Sequence, residues 1–245
     1  MILFLTSSPT GPLDGSYQVE GLDPKNHLID HLKKYWKEDA RCLMITAFPS
    51  QIEESEQMTA FFRDAFRKSG FSLSGMDLWD DRTGKPSADA LRVYDVILLG
   101  GGHVPTQNAF FARLGLRELF AGYDGIVIGI SAGSMNSADL VYAQPELSGE
   151  AVDPAYQRYL PGLGLTGLQI LPHYQMAKDN FLDGMRLYEE ITYGDSFGHA
   201  FLSIPDGSYV LSEQGQESVW GEAAWIRDGK RTPFCQEGEH RKLED

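Results

Sequence analysis

Gly129-Ile130-Ser131-Ala132-Gly133 places one hydroxyl between two glycines, directly after the apolar run Ile126-Val127-Ile128. This is a Gly-x-Ser-x-Gly pattern in the strand–turn–helix setting of a nucleophile elbow. The turn strains the serine, and a Cβ at either flanking glycine would collide with the neighbouring strand or helix. The hydroxyl then stands at the carboxyl edge of a sheet beside a helix N-terminus, placed to begin an acyl transfer. A plain tight turn is the competing use of the same residues. Gly100-Gly101-Gly102 ends the preceding apolar run, so in a parallel sheet its loop reaches the same edge. Acyl transfer needs donors for a developing oxyanion; a backbone N–H of Gly101 or Gly102, with that of Ala132, would supply two. The alternative for this glycine run is a phosphate cradle, but it does not continue into either common phosphate-binding pattern.

The serine also needs a base, and the chain has six histidines. His27 and His31 fall among Lys33, Lys34 and Lys37 on a charged helix, and His240 sits in a charged tail. His103 adjoins the glycine run and His199 precedes an apolar strand. His173 closes the apolar stretch Leu168–Leu171, which puts its imidazole at a strand end. Pro205-Asp206-Gly207 follows Phe201–Ile204 in the same way; its carboxylate either orients an imidazole or simply forms a turn.

These groups need a scaffold. Ile2–Leu5, Cys42–Ile45, Val93–Leu99 and Ile126–Ile130 are nearly continuous apolar runs, as in strands buried on both faces. Leu28, Ile29, Leu32, Tyr35 and Trp36 repeat at helical spacing behind Asp23-Pro24, an N-cap followed by a good first helical residue. Met58, Phe61, Phe62, Ala65 and Phe66 form a second stripe, with Ser50 and Glu53 spaced as a capping box and Gly70 as a stop. Further helices are predicted over about 105–120 and 180–191. The C-terminal third reads as short strands, Phe201–Ile204, Tyr209–Leu211 and Ala223–Ile226, with a hairpin at Asp228-Gly229 and a frayed tail from Glu237 to Asp245. Residues 145–161 suggest no element. Strands alternating with helices predict an α/β fold with a parallel sheet covered on both faces. No linker or repeat divides residues 1–245, which read as one domain.

Composition narrows the partners. Of 245 residues, 21 are basic and 35 acidic, a net charge of −14 that repels nucleic acid and anionic membranes. No apolar run approaches a membrane span, and the N-terminus lacks the basic region of a signal peptide. Cys42 and Cys235 define no disulfide framework, so the expectation is a soluble cytoplasmic protein. His27 and His31 are ordinary neighbours on a helix, and no metal site or cofactor motif is apparent.

Gly100-Gly101-Gly102, the Ser131 elbow, Leu171-Pro172-His173-Tyr174 and Pro205-Asp206-Gly207 stand in the order and approximate spacing of the peptidase E family. That family comprises α-aspartyl dipeptidases and relatives that include the cyanophycinases. The resemblance covers roughly Val93 to Val210. It implies a class I glutamine-amidotransferase-like fold, a three-layer α/β/α sandwich, with serine in place of the usual nucleophilic cysteine. It also implies a triad, here Ser131, His173 and Asp206. Peptidase E carries glutamate in a Pro-Glu-Gly motif where this chain has Asp206. It carries Gly-Gly-Gly-Asn where His103 now stands, so a backbone oxyanion role transfers and a side-chain role does not. An arginine downstream of the histidine pairs with an acidic P1 side chain in peptidase E; Arg186 lies near that place, with Lys178 as a second basic candidate. The expected partner is a short peptide, an acidic P1 is the implied preference, and a homodimer is compatible. Two alternatives stay open: a carboxylesterase pairing Asp206 with His240, and a non-catalytic binding protein on the same scaffold.

Overall fold

The computed structural model describes residues 1–11 and 20–243. The first half of the chain and a little more is built of strands and helices in turn: β1 (Ile2–Thr6), α1 (Leu28–Tyr35), β2 (Ala40–Ile45), α2 (Ile52–Lys68), β3 (Leu73–Trp79), β4 (Val96–Leu99), α3 (Val104–Leu114), α4 (Leu116–Leu119), β5 (Ile126–Ile130) and α5 (Ala132–Asn136). Shorter pieces follow: β6 (Leu140–Tyr142), β7 (Tyr159–Pro161), β8 (Gln169–Leu171), α6 (Tyr174–Ala177), β9 (Phe181–Leu182), β10 (Met185–Arg186) and α7 (Tyr193–Asp195). The chain closes with β11 (Ala200–Ser203), β12 (Tyr209–Glu213), β13 (Gln216–Trp220), β14 (Ala223–Arg227), β15 (Lys230–Cys235) and β16 (His240–Lys242).

The central sheet has eight strands in the order β3-β2-β4-β5-β1-β12-β13-β16. The first five run parallel, and the last three extend the sheet antiparallel. Alternate residues of each parallel strand feed opposite faces, as the pleat requires. Leu3, Leu5, Leu43, Ile45, Ile97, Leu99 and Val127 join Phe110, Phe111 and Leu114 of α3. Phe4, Cys42, Met44, Leu98, Ile126 and Ile128 meet Leu28 and Leu32 of α1 and the Phe61, Phe62, Ala65, Phe66 stripe of α2. Burying a side chain such as Phe66 contributes about 1.5–3 kcal/mol. The α/β fold, with a mostly parallel sheet between helices, is therefore the one expected.

A second sheet, β15-β14-β11-β8, lies beside it; only β8 and β11 in it are parallel. The chain crosses from this sheet back to the central one through Pro205-Asp206-Gly207, between β11 and β12. Asp228 and Gly229, both with positive φ, make the expected hairpin between β14 and β15. No helix among the described residues is long and apolar enough to cross a membrane.

Several local expectations are corrected. The N-cap of α2 is Gln51, with no side-chain capping bond, so the Ser50 box starts one residue too early. Asp23 accepts the Lys25 amide, but a 3-10 turn over Lys25–His27 intervenes before α1 begins. The predicted helix over 105–120 breaks at Gly115, whose left-handed φ of 68° ends α3. The helix predicted over 180–191 is mostly a hairpin. Asp183 and Gly184 take φ values of 51° and 83°, the two successive left-handed residues of a tight hairpin turn, and helical winding starts only at Leu187. The tail is not frayed through Lys242: β16 pairs with β13, and His240 stacks on Trp220 with centroids 4.3 Å apart. Glu244 and Asp245 lie outside the described residues. β3, unpredicted, is an edge strand whose mixed Leu-Ser-Gly-Met-Asp-Leu-Trp sequence lacks a buried run.

Candidate active site

Strand register brings the polar residues together. β1 and β5 are parallel with Thr6 opposite Ile130, so Ser7 and Ser131 leave the central sheet at the same edge. β8 and β11 are parallel with Leu171 opposite Ser203, so the chain runs on to His173 and Asp206 at the matching edge of the second sheet.

Ser131 has φ 50° and ψ −111°, a conformation rarely adopted by residues other than glycine. Its N–H is held by the carbonyls of Thr6 (3.0 Å) and Ser7 (3.1 Å). A Cβ at Gly129 would come within 2.8 Å of Ser134 Cα in α5, and one at Gly133 would run into the Leu99 carbonyl oxygen of β4. The steric argument for the two flanking glycines thus holds on both sides, helix and strand. Gly102 has φ 150°, and a Cβ there would fall 2.6 Å from Phe48 Cζ and 2.7 Å from Ala47 Cβ. Neither Gly101 nor Gly102 donates its N–H to an acceptor among the described residues. Ala132 is the first residue of α5, where a helix leaves its N–H unpaired.

His173 also has positive φ (57°), at the N-terminus of α6. Its Nδ1–H donates to Asp206 Oδ1 at 2.6 Å, which leaves Nε2 as the basic nitrogen. The Asp206 carboxylate is 2% exposed and the imidazole 34%. Burial alone would raise the Asp206 carboxyl, but the hydrogen bond and charge of His173, with the Ser7 hydroxyl, pull it below the usual carboxylate range. Ser7 completes the arrangement. Its Oγ–H donates to Asp206 Oδ1 at 2.6 Å, and Ser7 Oγ in turn accepts the His173 backbone N–H at 2.8 Å. Ser131 Oγ makes no hydrogen bond to His173 among the described residues; such contacts are often long before substrate arrives.

Ser131, Gly102, His173 and Asp206 line one cavity of about 410 Å³. Its other walls are largely apolar, with Val104, Met135, Pro172, Leu182 and Leu187 inside and exposed Met176 and Phe181 at the rim. Glu146 also lines it.

The chain belongs to peptidase family S51. The sequence profile described as Peptidase family S51 matches residues 13–219. Membership makes the protein a peptidase of the serine type. Among solved structures, a peptidase from an acI-B1 Actinobacterium aligns with a TM-score of 0.64 at 15% identity, over 99% of this chain and 96% of that one. A candidate peptidase E protein from Listeria monocytogenes EGD-e aligns with a TM-score of 0.53 at 18% identity, over 99% of this chain and 98% of that one. At these identities both share the fold. No curated protein matches the chain.

The remaining candidates of this S51 member lie elsewhere. His103 bonds Thr106 Oγ1 at 2.7 Å and Glu150 at 2.8 Å, and does not line the cavity. Lys178 ends α6 and is exposed, and Arg186 is exposed on β10; neither is a cavity-lining residue. Arg186, suggested by its distance downstream of His173, sits on the second strand of the hairpin turned at Asp183-Gly184. His240, stacked on Trp220, is likewise absent from the lining, which removes the carboxylesterase pairing with Asp206. Gly162-x-Gly164-x-x-Gly167, which the sequence reading passed over, matches a dinucleotide spacing, but it connects β7 to β8 with no helix directly after it. Among the described residues no cluster of His, Cys, Asp and Glu could hold a metal. Sequence reasoning missed Ser7 and Glu146. Ser7 was legible as a hydroxyl ending a buried strand, whereas no local pattern marks Glu146.

Proposed function

We propose that this S51 peptidase hydrolyses short peptides through Ser131, His173 and Asp206. Ser131 Oγ attacks the scissile carbonyl carbon and passes its proton to His173 Nε2. Asp206, bonded to Nδ1–H, steadies the imidazolium that forms. The amides of Gly101 or Gly102 and of Ala132 receive the oxyanion. When the C–N bond breaks, His173 returns the proton to the leaving amine, and Ser131 holds the acyl group. Water then attacks the ester with His173 as base, releasing the acid and restoring the hydroxyl.

The observation that carries this reading is the convergence of a strained, glycine-flanked Ser131 and a bonded His173–Asp206 pair on one cavity. It also weighs against a non-catalytic protein, for which such strain would have no use. The test is labelling by a fluorophosphonate probe with mapping of the modified residue. Labelling at Ser131 that is lost in His173→Ala supports the triad; absence of labelling together with absence of hydrolysis across a peptide library would overturn it. The acidic P1 preference implied by peptidase E finds no cation among the cavity-lining side chains.

A further inference from the structure

We propose that Glu146 is the substrate-recognising residue of this cavity and binds a positively charged group of the peptide. That group is either the α-ammonium or a lysine- or arginine-type side chain. The inference rests on the peptidase reading of the Ser131 cavity and adds the chemistry of what enters it.

Among the described residues two carboxylates line the cavity, Asp206 and Glu146. Asp206 is consumed by His173 and Ser7. The Glu146 carboxylate accepts no hydrogen bond among the described residues, although the loop around it is tightly held. Glu150 Oε2 accepts the N–H of Glu146 at 2.8 Å and of Leu147 at 2.9 Å, while its other oxygen meets His103 Nε2. Asp183, in the β9–β10 turn, accepts the N–H of Gly149 at 2.8 Å and of Ala151 at 3.0 Å. Two acidic side chains, Glu150 of the loop and Asp183 of the neighbouring turn, are thus spent on the loop backbone, and Glu146 is left unpartnered among the described residues in the cavity wall. Preorganisation of this kind is how a recognition group is presented without an ordering cost on binding.

Charge selects the guest. Among the described residues the cavity lining contains no Lys or Arg. An acidic side chain beside Glu146 would meet a like charge with no Lys or Arg in the described lining to offset it, which is unfavourable. Glu146 is exposed to solvent at the cavity, yet partial desolvation by its surroundings, opposed by His103 and reinforced by Glu150, still holds its carboxyl above the usual range. A bound cation relieves that penalty. The net charge of −14 also draws cations toward the protein at long range.

The test measures calorimetric binding to the Ser131→Ala protein, which needs no turnover. The ligands are Leu-Leu, N-acetyl-Leu-Leu, N-acetyl-Arg-Leu and Asp-Leu. If the α-ammonium is the group bound, acetylation of Leu-Leu weakens binding about tenfold, ~1.4 kcal/mol. If a side chain is bound, N-acetyl-Arg-Leu exceeds N-acetyl-Leu-Leu by a similar factor. Adding Glu146→Gln should erase whichever difference is found and leave N-acetyl-Leu-Leu unchanged. Equal affinity for all four ligands, measurable or not, or an equal loss for all four in Glu146→Gln, overturns the inference. Fluorophosphonate labelling of the parent protein reports separately: cation-dependent binding without labelling at Ser131 would sink the triad and keep Glu146 as a recognition residue.

Discussion

The two sides of the cavity are built differently. On the side of Ser131, His173 and Asp206, every group sits within a few residues of a parallel strand end, and pairing register sets its neighbours. On the side of Glu146, position is set by contacts between loops, Glu150 with His103 and Asp183 with Gly149, separated by 47 and 34 residues. The chemistry is thus mounted on rigid elements and the recognition on cross-braced loops. Rigid mounting suits a reaction that tolerates little misplacement, and loops suit a specificity that changes between relatives. The difference makes graded expectations: strand-end substitutions should act on kcat and loop substitutions on KM.

The largest effect is expected for Ser131→Ala. Removing the nucleophile should lower kcat for peptide hydrolysis by about 10⁶-fold, with circular dichroism unchanged. Retained turnover in this variant would break the comparison at its root. Asp206→Asn comes next, at about 10⁴-fold, because an amide at this position supports the wrong imidazole tautomer. It also has a stability signature. The folded Asp206 carboxyl lies below its ordinary value, so its contribution is present above about pH 3.9 and is lost as the pH falls through the folded pKa. Denaturation of wild type and Asp206→Asn should therefore differ at neutral pH and converge in strong acid.

Ser7→Ala sharpens the comparison further. Ser7 touches no substrate atom in the proposed reaction; it positions His173 by taking its backbone N–H and shares the Asp206 oxygen that the imidazole uses. Losing a buried bond to a charged group corresponds to about 1.5–3 kcal/mol, or roughly ten- to a hundredfold in kcat. A role confined to folding would lower Tm and leave the kcat of the folded fraction unchanged. Ser7→Thr, which keeps the hydroxyl, should recover part of the activity, because the added methyl must fit at a fully buried position.

How much of this was legible follows the same division. Ser131 and its glycines could be read because the constraint is local: each Cβ collision lies between a turn and the elements on either side of it. His173 and Asp206 could be read because apolar runs announce strand ends, and Pro205-Asp206-Gly207 happened to be a crossing between sheets. Ser7 carries the same signal, a hydroxyl after Ile2–Thr6, but a search confined to bases and acids passes over it. The wall opposite was illegible. Arg186 was suggested by its distance from His173 alone, and that distance carries no information about the tight turn at Asp183-Gly184 that precedes it. Glu146 belongs to a stretch with no periodicity, and its place depends on Glu150 and Asp183, partners that no local spacing identifies.

Asp183→Ala is the smallest expected effect and the most discriminating. Its carboxylate ties the β9–β10 turn to the amides of Gly149 and Ala151, beyond the reach of any reacting atom proposed here. Removing it leaves two backbone N–H groups that water can satisfy at this partly exposed position, so the fold should tolerate the change. The loop bearing Glu146 then samples more conformations, and that entropy is lost again on binding. KM should rise about threefold, less than 1 kcal/mol, with kcat unaltered. Asp183→Asn retains an acceptor oxygen and should lie between the two. A fall in kcat with constant KM would mean that this loop also positions the chemistry, and the division between a strand-mounted reaction and loop-mounted recognition would not hold.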